Sequence, residues 1–222
     1  MAFIHEQRFD PYEIEAITTS EGRRYKVPNG PSDVLYESVT TALGNQPGKK
    51  QSLMEWRKRV GDEEANRISR LAATRGTAVH KIIENYLDNI ENYAEGFMPD
   101  AVQMFSKLKP ILDKGIDKVY MQECPLFSHE YRLAGRVDCL AECNGKLSII
   151  DFKTSMKTKK RSWIHDYFLQ TAAYSYMVEE MYGERIEQTV IFITVENNQP
   201  QIFVEDPYKY KDDPFFKGRL EV

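Results

Sequence analysis

Two carboxylates and a lysine occur in this chain at a spacing that suits the binding of a metal ion. Asp138 lies within one run of β-branched and apolar residues, 132–141, and Asp151 and Lys153 lie within the next, 146–154. Side chains alternate between the faces of a strand, so Asp151 and Lys153 project from one face, and a hairpin can bring Asp138 beside them. Adjacent carboxylates repel each other without a cation, and Mg²⁺ takes oxygen ligands of this kind. The spacing therefore predicts a site that needs a divalent metal ion.

The segment that joins the two runs favours this interpretation. Asn144-Gly145 is a strong hairpin signal between two strands. The alternative is that Asp138 caps a turn while Asp151 and Lys153 form a surface ion pair, which would contribute little to stability. The residues at 149–152 are apolar except for Asp151, which indicates a buried strand, where a charge is costly unless it is paired or bound to metal. We therefore prefer the functional interpretation.

The composition is typical of a single globular domain rather than of a membrane or secreted protein. The 222 residues are 41% hydrophobic and 29% charged, with no low-complexity run and no apolar stretch long enough to cross a bilayer. The segment Met1–Glu6 lacks the basic and apolar parts of a secretory signal, and three cysteines cannot all pair with one another. We expect a cytoplasmic protein with no membrane partner.

The charge pattern disfavours a protein that coats nucleic acid without specificity. The formal net charge is −4, whereas such binding depends on many contacts between cations and phosphates. The sequence still allows local contacts with nucleic acid, because positive charge is concentrated in three places. These are Arg57–Arg59, the set Arg67, Arg70 and Arg75, and Lys157–Arg161.

The order of the predicted elements indicates an α/β fold, with a central mixed β-sheet flanked by helices and a helical N-terminal region. A long helix is predicted over 51–93, with interruptions at Gly61 and Gly76, and its second half carries His80 on a polar stripe. The single domain 1–222 divides into an N-terminal arm with one hairpin (1–35), a mainly helical region (36–115), an αβ core (116–205) and an irregular tail (206–222).

Four segments of the sequence, in order, resemble the signature of one nuclease group. They are Arg75-Gly-Thr-Ala-Val-His-Lys-Ile-Ile-Glu84, Gly135-Arg-Val-Asp138, Ile150-Asp-Phe-Lys-Thr-Ser155 and Gln170-Thr-Ala-Ala-Tyr174. Over roughly residues 36–195, the set resembles the PD-(D/E)XK nuclease superfamily, which has a restriction-endonuclease-like core, and in particular its RecB-like branch. Ser38-Val-Thr40 and the helix with Trp56-Arg57 further resemble phage exonucleases and mitochondrial genome-maintenance exonucleases.

The resemblance implies a catalytic set of Asp138, Asp151, Lys153 and His80. Asp138 and Asp151 would bind one or two Mg²⁺ or Mn²⁺ ions, together with the backbone carbonyl of Phe152 and the imidazole of His80. Lys153 would position or deprotonate the attacking water or stabilise developing negative charge, and these roles stay open. By itself, His80 would more often be a structural histidine.

Further residues are candidates for the site, each beside a simpler structural role. Glu123 either reaches the metal site or is an ordinary strand-edge glutamate. Ser38 could do no more than cap a short helix, and Gln170 and Tyr174 could brace the metal site rather than contact DNA. The candidates for DNA contact are Gln170, Tyr174, Thr154, Ser38, Thr40, Arg75, Lys157 and Lys159.

The cysteines argue against one cofactor that is found among the relatives. Several of them hold an iron–sulfur cluster with four cysteines, one early in the chain and three near its end. Here Cys124, Cys139 and Cys143 all lie in the middle of the chain. We expect packing cysteines and no iron–sulfur cluster.

The resemblance implies a Mg²⁺- or Mn²⁺-dependent deoxyribonuclease, namely an exonuclease acting on single strands or duplex ends. Replication, recombination or repair would be its setting, with proteins of those processes as partners and, for a phage enzyme, the bacterial cytoplasm as its place of action. A bridging helix within residues 36–75, lined by Arg57, Arg67 and Arg75, could make the enzyme thread a free end. The alternatives are a structure- or site-specific endonuclease, and a non-catalytic DNA-binding or scaffolding module. Catalysis is favoured because a binding module has no need of carboxylates that repel phosphate.

Overall fold

A mixed β-sheet forms the centre of the computed structural model, which describes residues 2–31 and 33–220. Its strands lie in the order β2-β3-β4-β6-β7-β8-β9, and β5 pairs with both β1 and β6. In chain order the strands are β1 (Ile4–His5), β2 (Glu15–Thr19), β3 (Gly22–Lys26), β4 (Tyr36–Ser38), β5 (Ile116–Ser128), β6 (Leu133–Cys143), β7 (Lys146–Ser155), β8 (Gln188–Val195) and β9 (Gln201–Glu205).

Helices cover both faces of this sheet. Among the described residues, no helix is long and apolar enough to span a membrane. Short 3₁₀ turns occur at Arg161–Trp163 and Pro207–Tyr210. The helices are α1 (Val39–Gly44), α2 (Pro47–Val60), α3 (Asp62–Leu87), α4 (Pro99–Gly115), α5 (His165–Tyr182) and α6 (Pro214–Leu220).

The predicted hairpin is confirmed. Strands β6 and β7 are antiparallel, and the turn residues Asn144 and Gly145 have φ values of +50° and +71°, as a two-residue turn that matches the twist of its strands requires. Strand β7 then pairs in parallel with β8, which in turn pairs antiparallel with β9. The prediction of a mixed sheet flanked by helices is therefore confirmed.

Strand β6 pairs with β7 only along its C-terminal half. Their pairing runs from Cys143 back to Cys139, which lies opposite Ile150, and then stops. At its first residues, Leu133 and Ala134, β6 pairs in parallel with β4 instead. The stretch 135–138 thus lies where β6 has separated from β7, a place called here the fork of β6 and β7, and Asp138 is the first β6 residue beyond the last pair with β7.

Two hydrophobic clusters anchor the sheet. One packs α1 and α5 on one side, and the other packs α3 and α4 on the opposite side. All eight residues of β8 are buried, as its nearly continuous apolar sequence predicts.

Three segments differ from the sequence predictions. The arm 1–35 supplies β1, β2 and β3 to the sheet and is more regular than predicted. Helix α2 ends at Gly61 as predicted, but α3 continues through Gly76, so the interruption predicted there is wrong. A Cβ at Gly76 would lie 3.6 Å from Thr154 Oγ1, so this glycine marks where α3 comes close to β7. The tail predicted to be irregular contains α6. This helix packs against the rest of the molecule through Phe216, which is fully buried.

Candidate active site

Asp138 closes the fork between β6 and β7. Its Oδ2 accepts a hydrogen bond from the backbone N–H of Phe152 at 2.7 Å, just beyond the last ladder pair of the two strands. The carboxylate therefore accepts the hydrogen bond that a backbone carbonyl of a paired strand would otherwise accept. This bond fixes the side chain between the two strands.

Asp151 is the most deeply buried acid of the site. It is 1% exposed. Its Oδ1 accepts hydrogen bonds from Lys153 Nζ at 2.6 Å and from Gln170 Nε2 at 2.9 Å. Its Oδ2 forms an ion pair with Lys153 Nζ at 2.5 Å and has no other polar partner among the described residues. Burial raises the pKa of Asp151 to about 6, although the Lys153 charge opposes this.

Lys153 projects from the same face of β7 as Asp151, as the alternation of strand side chains predicts. Burial lowers the pKa of Lys153, but the attraction of Asp151 and Asp138 outweighs it and leaves that pKa above its ordinary value. The ammonium also lies 5.2 Å from the ring centroid of Tyr167 in the first turn of α5, which is within the range of a cation–π contact. Lys153 is therefore a fixed positive charge at the fork.

Asp138 belongs to a group of three potential metal ligands. One ligand atom from each of His80, Glu123 and Asp138 lies within 4.8 Å of the other two, and His80 Nδ1 is 3.6 Å from Asp138 Oδ2. These are an imidazole and two carboxylates, a donor set suited to a divalent ion. This donor set fits a divalent metal ion, and Asp151 is not one of its members.

Glu123 is a ligand candidate for which the sequence could not decide between a place in the metal site and an ordinary place at the edge of a strand. It lies within β5 at a φ of +46°, a conformation that costs energy for a residue other than glycine. Its backbone carbonyl accepts a hydrogen bond from Arg136 Nη1 at 2.8 Å. Burial, and then the charge of Asp138, raise the pKa of the Glu123 carboxyl. The structure thus places this carboxylate beside Asp138 at the cost of a strained backbone.

Gln170 and Tyr174 are buried, at 8% and 3% exposure, so neither is open to DNA in this structure. Gln170 donates to Asp151, as described above. Tyr174 packs over Gly135, where a Cβ would lie 2.7 Å from the tyrosine hydroxyl. Of the two roles that the sequence left open, their burial favours bracing the site over contact with DNA, and both stay predictions.

The other candidates for DNA contact are spread around the fork. Ser38 is buried and caps α1, accepting a hydrogen bond from Thr41 N at 3.0 Å, whereas Thr40 is exposed. Arg75 is half-buried in α3, and its Nε has no hydrogen-bond partner among the described residues. Thr154 and Lys159 are half-buried and Lys157 is exposed, all after Lys153 in the chain.

Comparison with known proteins gives three findings. A family model described as the PD-(D/E)XK nuclease superfamily matches residues 87–215, which include Asp138, Asp151, Lys153 and Gln170 but not His80. The chain is 28% identical over 173 residues to the mouse (Mus musculus) mitochondrial genome maintenance exonuclease 1. That match covers 73% of this chain and 51% of the relative, so the chain spans about half the length of the curated relative.

Among solved structures, a candidate exonuclease from Eubacterium rectale aligns at 16% sequence identity and a TM-score of 0.48. The alignment covers 84% of this chain and 76% of that one.

Proposed function

The chain belongs to the PD-(D/E)XK nuclease superfamily, and from that premise we propose that it is a metal-dependent DNA exonuclease. It hydrolyses phosphodiester bonds at single-stranded or duplex ends. The observation that carries this proposal is the convergence of Asp138, Asp151 and Lys153 at the fork, with His80 of α3 beside them.

The metal ligands in this proposal come from four elements. His80 lies on α3, Glu123 on β5, Asp138 on β6 and Asp151 on β7, and the backbone carbonyl of Phe152 remains a predicted further ligand. A bound Mg²⁺ or Mn²⁺ would supply a nucleophilic water of lowered pKa and stabilise charge on the phosphate. Gln170 holds Asp151 in place for this task, as residues that orient metal ligands do.

Lys153 acts as a charge stabiliser in this scheme. Its raised pKa keeps the ammonium protonated near neutral pH, so it attracts the phosphate and hydrogen-bonds to the developing negative charge. A lysine that acts as general base needs a lowered pKa instead. Of the roles that the sequence left open, orientation and charge stabilisation therefore have the stronger support.

Two observations support the proposed preference for DNA ends: the name of the mouse relative and the arrangement of helices α2 and α3. The mouse protein is named an exonuclease. Helices α2 and α3 form an arm that begins beside α5, through an ion pair between Lys49 and Asp166, and leads to His80. No residue of α2 is buried. We propose that a free strand passes beneath this arm, and that the enzyme serves replication, recombination or repair.

Two other functions remain as rivals. A structure- or site-specific endonuclease would cut without a free end, and a non-catalytic module would bind DNA without cutting it. The energetic cost of burying Asp151 speaks against the module, because binding DNA gains nothing from a carboxylate there.

End-labelled linear and covalently closed circular single-stranded DNA separate these functions. Each substrate is incubated with the protein in Mg²⁺ or in EDTA. The proposal expects degradation of linear DNA only, and only in Mg²⁺, with the labelled end reporting the polarity. Cleavage of circles would indicate an endonuclease, and retention of DNA without any cleavage would indicate a binding module.

A further inference from the structure

A large aromatic side chain is exposed to solvent in the segment that leads from the active-site strand β7 into α5. Trp163 ends the 3₁₀ turn before α5 and is 64% exposed, whereas tryptophan is usually well buried. Tyr167, whose ring faces Lys153 at 5.2 Å, follows four residues later in the first turn of α5. The exposed indole thus precedes the end of α5 whose Tyr167 contacts the proposed catalytic Lys153 of β7.

The backbone around Trp163 is firmly anchored. Ile164 is 1% exposed and packs with the β8 residues of its cluster. Gln201 of β9 holds Lys159 at both backbone groups, accepting from its N–H at 2.6 Å and donating to its carbonyl at 3.0 Å. Arg161 forms an ion pair with Glu205. The anchored neighbours fix where the indole stands, so its exposure follows from the fold.

A lysine ammonium lies close to the indole, and a second exposed lysine precedes it in the chain. Lys160 Nζ lies 5.3 Å from the Trp163 ring centroid, and Lys157 and Lys160 are exposed. An aromatic face among cations is the combination that binds single-stranded nucleic acid, because bases stack on the ring while phosphates meet the cations. A purely apolar partner surface would leave these lysines desolvated and unpaired.

We propose that Trp163 is a stacking platform for an unpaired nucleobase of the DNA strand that is being cut. This inference rests on the proposed nuclease function and deepens it, because it requires an unpaired base close to the scissile phosphate. A substrate with a single-stranded or frayed end meets this requirement, and a fully paired end must first open.

The first test is the affinity for a single-stranded oligonucleotide in EDTA, where binding is measured without metal. The proteins are the wild type, Trp163→Ala and Trp163→Phe, with Met98→Ala as a control because Met98 is 70% exposed on α4's N-terminal side. Trp163→Ala is expected to weaken binding about 5- to 150-fold, the range that a stacked base contributes. Trp163→Phe should keep most of the affinity, and Met98→Ala should equal the wild type.

The second test removes the base instead of the ring. A set of oligonucleotides, each with one abasic position, is bound to the wild type and to Trp163→Ala. The proposal expects one position whose base removal weakens wild-type binding but leaves Trp163→Ala binding unchanged, since the two partners of one contact are not additive. Equal penalties in both proteins at every position, or wild-type affinity in Trp163→Ala, would overturn it.

Cleavage in Mg²⁺ by the wild type, measured in parallel, separates the two proposals. If the wild type cuts DNA but fails the abasic test, the stacking platform is wrong and the nuclease function stands. If it neither binds nor cuts DNA, both are wrong.

Discussion

At the scale of single residues, the site is built around a carboxylate that has little reason to be buried unless it binds a cation. Asp151 Oδ1 accepts hydrogen bonds from Lys153 and Gln170, and its Oδ2 lies 2.5 Å from the same Lys153 ammonium with no other polar partner among the described residues. A buried carboxylate is costly unless it is paired, and burial raises the pKa of Asp151 even beside Lys153. A bound metal ion would add a second favourable charge at this position.

Gln170→Ala tests whether α5 positions this carboxylate. Without the amide, Asp151 Oδ1 keeps only Lys153, so the carboxylate is less well oriented. We expect a loss of about 10- to 100-fold in metal affinity or cleavage rate, the usual cost of removing a residue that orients a ligand. Mn²⁺ titration by calorimetry and the cleavage rate measure it.

Gln122→Ala is the control, because the half-buried Gln122 donates to the exposed Asp88 at 2.6 Å and neither residue belongs to the proposed ligand set. Equal metal affinity and cleavage in both variants and the wild type would contradict the role of Gln170.

Local sequence patterns predict how three residues of the candidate site are placed. Asp138, Asp151 and Lys153 follow from strand alternation and an Asn-Gly turn, which are local. The roles of Gln170 and Glu123 depend on how α5 and β5 pack against the hairpin, and no local spacing encodes that packing. Ser38 shows the same limit, because only its burial and its hydrogen bond to Thr41 N separate a helix cap from a DNA contact.

At the scale of elements, the close approach of α5 to β6 maintains the fork. Gly135→Ala would place a Cβ 2.7 Å from the Tyr174 hydroxyl and 2.9 Å from Cε1, so strand and helix must move apart. We expect a destabilisation of about 1–3 kcal/mol, as for other overpacked sites, measured by urea unfolding. Tyr174→Phe in the same chain should restore only part of it, because the ring carbons remain.

Gly48→Ala is the control for this substitution, since no atom lies within 4 Å of a Cβ at Gly48 on α2. It should be neutral or slightly stabilising. A Gly135→Ala variant as stable as Gly48→Ala would show that the packing of Tyr174 does not require a glycine.

Helices α3 and α4 are joined by a polar contact with a defined pH dependence. Asp113 on α4 accepts hydrogen bonds from the Tyr86 hydroxyl on α3 and from Lys109 Nζ, the latter at 2.8 Å. Burial raises the pKa of Asp113, but these two donors outweigh it and hold that pKa below its ordinary value. The ionised form is therefore favoured by folding, so its contribution is present above the ordinary pKa near 4 and is lost as the pH falls below it.

Asp113→Asn should therefore destabilise the protein by about 1 kcal/mol at pH 7, with a smaller difference from the wild type as the pH is lowered through 4. Thermal unfolding in EDTA between pH 3 and pH 8 measures this. Asp212→Asn, at a side chain that is 90% exposed, is the control. A difference for Asp113→Asn that does not change with pH would contradict the proposed linkage.

At the scale of the whole molecule, the three arginines of the arm formed by α2 and α3 differ in whether they already have a bonding partner. Arg57 is bonded to Asp62 and Asn66, and Arg67 to Glu64. Arg75 has a buried Nε without a partner among the described residues. The sequence could group these residues by charge, but only the structure shows which of them already has a partner.

Arg75→Ala should therefore weaken cleavage of single-stranded ends about tenfold, the cost of one lost hydrogen bond to a charged group, and lower the salt dependence of binding. Arg67→Ala is the matched control, with cleavage expected close to that of the wild type because its partner Glu64 lies on the arm. Cleavage rates at several salt concentrations test this. The opposite order of effects would contradict the assignment of Arg75 to the strand.

The central claim is that the fork of β6 and β7 hydrolyses DNA with the help of a metal ion. Its most direct test is the single-turnover cleavage rate of an end-labelled single-stranded oligonucleotide by the wild type, Lys153→Ala and Lys146→Ala, in Mg²⁺ and in EDTA. Lys146 is an exposed lysine at the beginning of the same strand, so its variant is the control, and circular dichroism confirms that all three proteins are folded.

The account predicts cleavage by the wild type and Lys146→Ala in Mg²⁺ only, and a rate about 10²- to 10³-fold lower for Lys153→Ala, the range seen when one group that stabilises the transition state is removed. Cleavage by folded Lys153→Ala at the wild-type rate, or cleavage by the wild type in EDTA, would contradict it.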